Sequence, residues 1–232
     1  MAERRRITVI VAHPDDAEFG CAGSVAKWIR EGATVAYVVA TNGNKGSGDR
    51  AMTSERLARI REEEQRKAAE VLGAEAVVFL GYPDGELEDA PPLRRDVVRA
   101  IRQFRPERVV TQNPFRTLNP YGSHRDHRTI AGVVLDAVYP MARDHLYFPE
   151  LLTEGLQPWK VREVYLMGRD EPDIWVDITE TLDVKLKALA CHQSQVGEWE
   201  AVETRVREWA QETGRAKGYA FAESFRHIVL PR

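Results

Sequence analysis

The chain alternates between short, dense runs of β-branched residues and longer stretches whose apolar positions recur every three or four residues. Residues 7–12, 33–40, 76–80 and 107–111 are runs of the first kind, with the near-continuous apolar character of strands covered on both faces. Between them lie helical patterns. A small-residue segment beginning at Gly20 turns helical and stops at Gly32. A second helix begins at Ser54, carries Leu57, Ile60, Ala68, Val71 and Leu72 on one face, and has Gly73 as its C-cap. A third opens on Pro91-Pro92 and reaches Phe104. Strand and helix in strict alternation predict a parallel, doubly wound sheet. Further on, the pattern predicts a helix over 129–139, loop over 140–160, and strands over 161–167 and 174–178. Thr179 or Thr181 then caps a helix with Leu182, Leu186, Leu189 and Ala190 on one face. A charged helix over 198–213, with Trp199 and Trp209, and a last strand over 227–230 complete the chain. The expected fold is α/β, a Rossmann-like, mostly parallel sheet with helices on both faces, plus a C-terminal α+β extension. One domain spans 1–232, with its core in 1–140 and the extension in 141–232.

Composition narrows the functional classes. With 232 residues, 43% hydrophobic and 30% charged, the chain is long enough for one large globular α/β unit. A net charge of −3 gives no reason to expect a nucleic-acid or anionic-membrane partner. No apolar run approaches a membrane span, and Met1 to Arg6 lead straight into the first strand, so neither anchor nor signal peptide is expected. The two cysteines, Cys21 and Cys191, lie far apart, which excludes a disulfide framework and points to a reducing cytoplasm, with both thiols as small buried groups.

The chemistry gathers where strands end. The first strand runs into His13-Pro14-Asp15-Asp16, and Pro14 forces the chain out of the sheet at its carboxyl edge, where open α/β sheets bind ligands. One aspartate would serve as a helix N-cap. Two carboxylates beside an imidazole exceed that need, and they repel one another unless a cation or a donor network compensates. After the fourth strand, on the same edge, comes His124-Arg125-Asp126-His127. Three of the six histidines therefore fall in these two motifs. If His13, Asp16 and His127 hold one divalent cation, the set is that of an open catalytic zinc site. Asp15 is then free to act as general base and acid, and His124, oriented by Asp126, to stabilise an oxyanion as imidazolium. The glycine-rich loop over 41–53 lacks both the P-loop and the dinucleotide fingerprint.

With these residues in view, Ala12-His13-Pro14-Asp15-Asp16 with Glu18 and Gly20, together with His124-Arg125-Asp126-His127, resembles the LmbE-like (PIG-L) family of zinc-dependent de-N-acetylases. Weaker similarities are Ile60-Arg61 with Glu64, Leu72-Gly73, Leu80-Gly81 with Asp84-Gly85, and Ala222-Glu223-Ser224-Phe225. The resemblance implies one Zn2+ per chain on His13, Asp16 and His127, other divalent metals being possible. It implies Asp15, His124 and Asp126 as catalytic residues. Arg61 and Asp84 match sugar-binding positions of relatives, and Asn44 is taken with them as a substrate contact. It further implies a small sugar substrate of the N-acetylglucosamine type and a homo-oligomer. His192 and Glu223 match family positions without an assignable role. The sequence departs from the pattern at Ala17 and Arg125. It has Gly122 where some members carry an oxyanion-donating tyrosine, which leaves Tyr121 as the neighbour that would substitute. Two other readings stand beside this one. One is a metal-dependent amidase or esterase for another acylated metabolite; the other is a non-catalytic sugar-binding protein.

Overall fold

A computed structural model describes residues 4–115, 124–168 and 170–231 of the chain. Its centre is β1 (Arg6–Val11), flanked in parallel by β2 (Thr34–Thr41) and β4 (Arg108–Gln112). Outside these, β3 (Ala76–Tyr82) pairs parallel with β2, and β5 (Glu163–Met167) parallel with β4. Antiparallel β7 (Ala222–Val229) and then β6 (Ile174–Asp177) finish one seven-stranded sheet in the order β3-β2-β1-β4-β5-β7-β6. The chain thus moves outward from β1 to β3, then returns to the other side of β1 for β4. The topological switch lies between β1 and β4, where the connections diverge and leave a crevice beyond the strand ends. The C-terminal α+β extension completes this sheet with three strands of its own.

Period-two alternation sorts β1 onto two cores. Ile10 and Ala12 face one cluster, built with α4 (Pro91–Phe104) and α5 (Arg125–Val138), through Val97, Ile101, Ile130 and Val134. Ile7, Val9 and Val11 face the other, with Val25 and Trp28 of α2 (Ala22–Arg30) and Ala68 and Leu72 of α3 (Ser54–Leu72). Covering both faces accounts for the unbroken apolar runs in the central strands. A third cluster joins Leu182, Leu186 and Leu189 of α7 (Leu182–Leu189) to Val202, Val206 and Ala210 of α9 (Trp199–Arg215). The short helices α6 (Glu150–Thr153) and α8 (Gln193–Val196) sit in the connections.

The larger departures from the sequence reading each have a local reason. The helix expected up to Gly32 is two, α1 (Asp16–Gly20) and α2, broken at Cys21, whose φ is −150°. α5 starts at Arg125 rather than 129, because His124 takes the N-cap and its Nδ1 accepts the Asp126 amide at 3.2 Å. β7 starts at Ala222 rather than 227, paired with Asp177 of β6. Of the two cysteines, Cys21 is buried and Cys191 half-buried, and both are free.

The early start of β7 brings Glu223 beneath α2. Its carboxylate accepts the Gly23 amide at 3.1 Å and the Ser24 amide at 2.7 Å, capping from two hundred residues away the donors that α2 cannot satisfy itself. Lys185 donates to the same carboxylate at 2.6 Å and to the Phe19 carbonyl, at the end of α1, at 2.8 Å. One buried ion pair therefore joins α1, α2, α7 and β7, which gives Glu223 a structural role. Glu223→Gln keeps the shape but strands the Lys185 ammonium, and should lower the unfolding free energy by about 3–5 kcal/mol in urea titration. Pairing it with Lys185→Met should recover part of that loss. A single-variant loss below about 1 kcal/mol, the range of an exposed pair, would contradict this assignment.

Candidate active site

The carboxyl end of β1 turns sharply. Asp15 has φ of +93°, a left-handed conformation that costs a non-glycine residue about 1 kcal/mol or more. This turn lets α1 begin at Asp16, whose carboxylate folds back to accept the His13 amide at 2.7 Å. Asp15 takes the N-cap position without a side-chain capping bond, so the capping role open to it in the sequence is not the one it plays. From the neighbouring strand end, Gln112 donates to Asp16 at 2.8 Å. Asp126 and His127 enter from the first turn of α5. The two motifs meet at the switch point.

Three donors converge there. His13 Nδ1 lies 3.1 Å from His127 Nε2 and 3.3 Å from Asp16 Oδ2, and His127 Nε2 lies 3.0 Å from Asp16 Oδ1. Tetrahedral zinc bonds of about 2.0–2.1 Å put ligand atoms about 3.3 Å apart, so this spacing fits a cation among them. The opposite edge of the same imidazole faces other carboxylates. His13 Nε2 is 3.2 Å from Asp126 Oδ2 and 3.0 Å from Asp84 Oδ1. Asp126 is fully buried and fixed by the Gly85 amide at 2.6 Å and the Leu87 amide at 3.2 Å. A histidine that ligates through one nitrogen and donates through the other to an anchored carboxylate is the usual support of a metal site. Two other groupings, His13 with His124 and His127, and His13 with Asp84 and Asp126, also lie within reach of one ion. The second of these draws on carboxylates already engaged by His13, Gly85 and Leu87.

The electrostatics point the same way. Burial alone would lower the His13 imidazole, yet Asp126, Asp16 and Asp84 together raise it to about 12. Burial would raise Asp16, but His127 and His13 hold it well below the usual carboxylate range. So many carboxylates around one imidazole call for positive charge at this spot. Asp15 differs from Asp16: burial pushes its carboxyl up to about 6 against the pull of Arg61.

The orientation expected of Asp126 is corrected. Its carboxylate turns to His13, and His124 receives its backbone amide at Nδ1 instead. Burial, with the neighbouring His13 and His127, lowers the His124 imidazole. A neutral ring accepting at Nδ1 carries its proton at Nε2, so His124 offers an uncharged N–H donor rather than an imidazolium. Its ring stands edge-on to that of His13, 4.7 Å between centroids.

The three residues expected to touch substrate, Arg61, Asp84 and Asn44, each bond to the loops around the site. Arg61 is 4% exposed, and its guanidinium donates to the carbonyls of Pro14 at 2.7 Å, Gly43 at 3.2 Å and Lys45 at 3.4 Å, and to Asp15 Oδ2 at 3.2 Å. Asn44 Oδ1 accepts the Asp84 amide at 3.0 Å. Asp84 keeps its carboxylate toward His13 and, at 3.7 Å, toward Arg61. Two further residues went unnoticed in the sequence. Gln65 accepts the Asp15 amide at 3.0 Å, and Gln112 braces Asp16. Gln65 stands one helical turn from Arg61 on the same face of α3, a spacing that was available to be read. Tyr121 and Gly122 lie outside the described residues.

With this geometry in place, comparison with known proteins is informative. The PIG-L family, described as GlcNAc-PI de-N-acetylase, matches residues 8–138, a span that holds both histidine motifs. Diacetylchitobiose deacetylase of Thermococcus kodakarensis is 31% identical over 226 residues, covering 97% of this chain and 83% of that protein. The probable N-acetyl-alpha-D-glucosaminyl L-malate deacetylase 2 of Bacillus cereus is 29% identical over 82% of this chain and 84% of its own. Among solved structures, N,N'-diacetylchitobiose deacetylase from Pyrococcus horikoshii superposes with a TM-score of 0.91 at 30% identity, covering 98% of this chain and 85% of that one. An open α/β sheet with histidine and carboxylate donors at its switch point defines the class, and the chain belongs to the PIG-L family.

Gly43 tests the seating of Arg61. Its φ is +61°, and a Cβ there would lie 2.8 Å from the guanidinium carbon. Gly32 has φ of +92° with open space around it, so Gly32→Ala isolates the backbone strain. Gly43→Ala should lose about 1–3 kcal/mol more than Gly32→Ala in chemical denaturation, the range for overpacking. Equal losses would mean that Arg61 yields freely.

Proposed function

We propose that this chain is a zinc-dependent hydrolase that removes the acetyl group from an N-acetylglucosamine-type sugar or sugar conjugate. The observation that carries the reading is the approach of His13 Nδ1, His127 Nε2 and the two carboxylate oxygens of Asp16, with contacts of 3.0–3.3 Å, beside a carboxylate, Asp15, that the set leaves free. The names of the relatives supply the substrate class. In this reading one Zn2+ is held by those three residues. When bound, it supplies a Lewis acid for the amide carbonyl and an acidified water.

The chain's own groups do the rest. Asp15, steadied by Arg61, takes the proton of the attacking water and returns it to the leaving amine. His124 donates from Nε2 to the oxygen that gains charge as the carbonyl carbon becomes tetrahedral. Asp126 holds His13 in register from its outer edge. Arg61, Asn44 and Asp84 set the loops over 42–45 and 83–87 around the sugar, with Asp84 the one whose carboxylate faces inward. The cytoplasm, where free Cys21 and Cys191 remain reduced, and a homo-oligomeric assembly belong to the same proposal. No helix among the described residues is long and apolar enough to cross a membrane.

The test is release of primary amine from N-acetylglucosamine and diacetylchitobiose. Activity should vanish on chelation and return with zinc. Asp15→Asn should retain stoichiometric zinc and lose about 10²–10⁴-fold in kcat, the usual worth of a positioned acid–base group. His127→Ala should lose the metal itself. Full activity in Asp15→Asn would remove Asp15 from the chemistry. Stoichiometric zinc with no amine released would shift the reading to an amidase or esterase for another acylated metabolite. Normal sugar binding by metal-free, inactive protein would favour the sugar-binding alternative.

A further inference from the structure

Behind Asp15 runs a chain of buried polar groups that the chemistry above does not use. The Asp15 amide donates to Gln65 Oε1 at 3.0 Å, Gln65 Nε2 donates to Glu18 Oε1 at 3.0 Å, and Glu18 Oε2 meets His192 Nε2 at 3.2 Å. Glu18, Gln65 and His192 are each 0% exposed, and His192 Nδ1 is buried with no partner. The imidazole is delivered by a fixed turn between α7 and α8: the His192 amide bonds to the Leu189 carbonyl, and its own carbonyl accepts from Gln195 and Val196.

Each link removes one freedom. The two ends of the Gln65 amide are alike in shape, so only its partners decide which end faces Asp15. Glu18 as a carboxylate is acceptor-only, which turns Nε2 toward itself and leaves Oε1 for the Asp15 amide. Glu18 in turn stays put because its second oxygen is bound by His192; a buried carboxylate with one oxygen unpaired would turn to find a donor. The far end of the chain is a residue in left-handed backbone conformation that depends on its surroundings to stay there.

We propose that His192 is a positioning residue for Asp15, acting through Glu18 and Gln65 to hold the Asp15 peptide in its strained turn. The consequence for catalysis rests on the reading of Asp15 as the acid–base group; the structural link does not. The C-terminal segment thereby sets the aim of a carboxylate in the first motif, 177 positions earlier in the chain.

The experiment is amide hydrogen exchange by NMR on the zinc-loaded, full-length protein, with kcat and KM measured alongside. His192→Met removes the donor at similar volume; His192→Gln keeps an amide donor near the place of Nε2. The proposal expects exchange at the Asp15 amide to quicken about tenfold or more in His192→Met, with core amides of β1 and β2 unchanged. His192→Gln should stay close to wild type. Gln65→Met should open the same amide, and the double variant His192→Met/Gln65→Met should add nothing further, as for two members of one chain. Loss of kcat with KM within about twofold is expected where the amide opens, since small misplacement of a reacting group acts on the chemical step. Unchanged protection at Asp15 in His192→Met, or equal acceleration across the whole core, would overturn the proposal; the second would leave His192 a packing residue. Should His192→Met not fold, an Asp15 amide in His192→Gln as protected as wild type, with that in Gln65→Met opened, supports the link, and the reverse order overturns it. An opened Asp15 amide with full kcat would keep the link and discard Asp15 as the base.

Discussion

The His13 imidazole is wedged between carboxylates on both of its edges, and the rest of the site follows from that arrangement. On the Nδ1 edge stand Asp16 and His127; on the Nε2 edge stand Asp126 and Asp84. An imidazole can be neutral and directional, or charged, but it cannot alone balance three carboxylates in a buried crevice. In the proposed function a cation on the Nδ1 edge would resolve this. It would supply the missing charge and free His13 to be a neutral ligand with its remaining proton pointed at Asp126. The two backbone amides on Asp126 ensure that this carboxylate does not turn inward to compete.

Such a concentration of buried charge needs a stiff frame. The switch point provides it, because the strand ends of β1 and β4 are fixed by parallel pairing on both sides of each. Arg61 and Gln65 of α3 reach over the first motif from one face of the sheet, while α5 delivers the second motif from the other. Both helices have apolar sides in the two main cores, so site geometry and core packing are bound together. The C-terminal segment adds support from below, with Glu223 and Lys185 under the α1–α2 break and His192 behind Glu18. Each is a paired buried group, which gives specificity of geometry rather than large net stability.

Much of this was legible in the sequence. The strands of the parallel core carried their own signature, since a strand buried on both faces has no polar alternation to obscure it. The meeting of His13-Pro14-Asp15-Asp16 with His124-Arg125-Asp126-His127 followed from both motifs trailing strands of one sheet edge. Orientation was harder to read. Nothing in the spacing of Asp126 says that its carboxylate serves His13 rather than His124; that depends on the Gly85 and Leu87 amides from a distant loop. The resemblance implies a sugar contact for Arg61, while the backbone carbonyls that also hold its guanidinium are acceptors that sequence does not display. Glu223 and His192 stayed without roles for the same reason. The amides that Glu223 caps and the Glu18 partner of His192 lie more than 170 residues away.

The central claim is that the two edges of His13 are unequal, one for the metal and one for the carboxylate that holds the ring. Anomalous diffraction at the zinc edge from zinc-loaded crystals tests it most directly. The account predicts one peak per chain, bonded by His13 Nδ1, Asp16 and His127 Nε2, with His13 Nε2 still on Asp126. A peak bonded instead by His13 Nε2 with Asp84 and Asp126 would reverse the two edges and contradict the account.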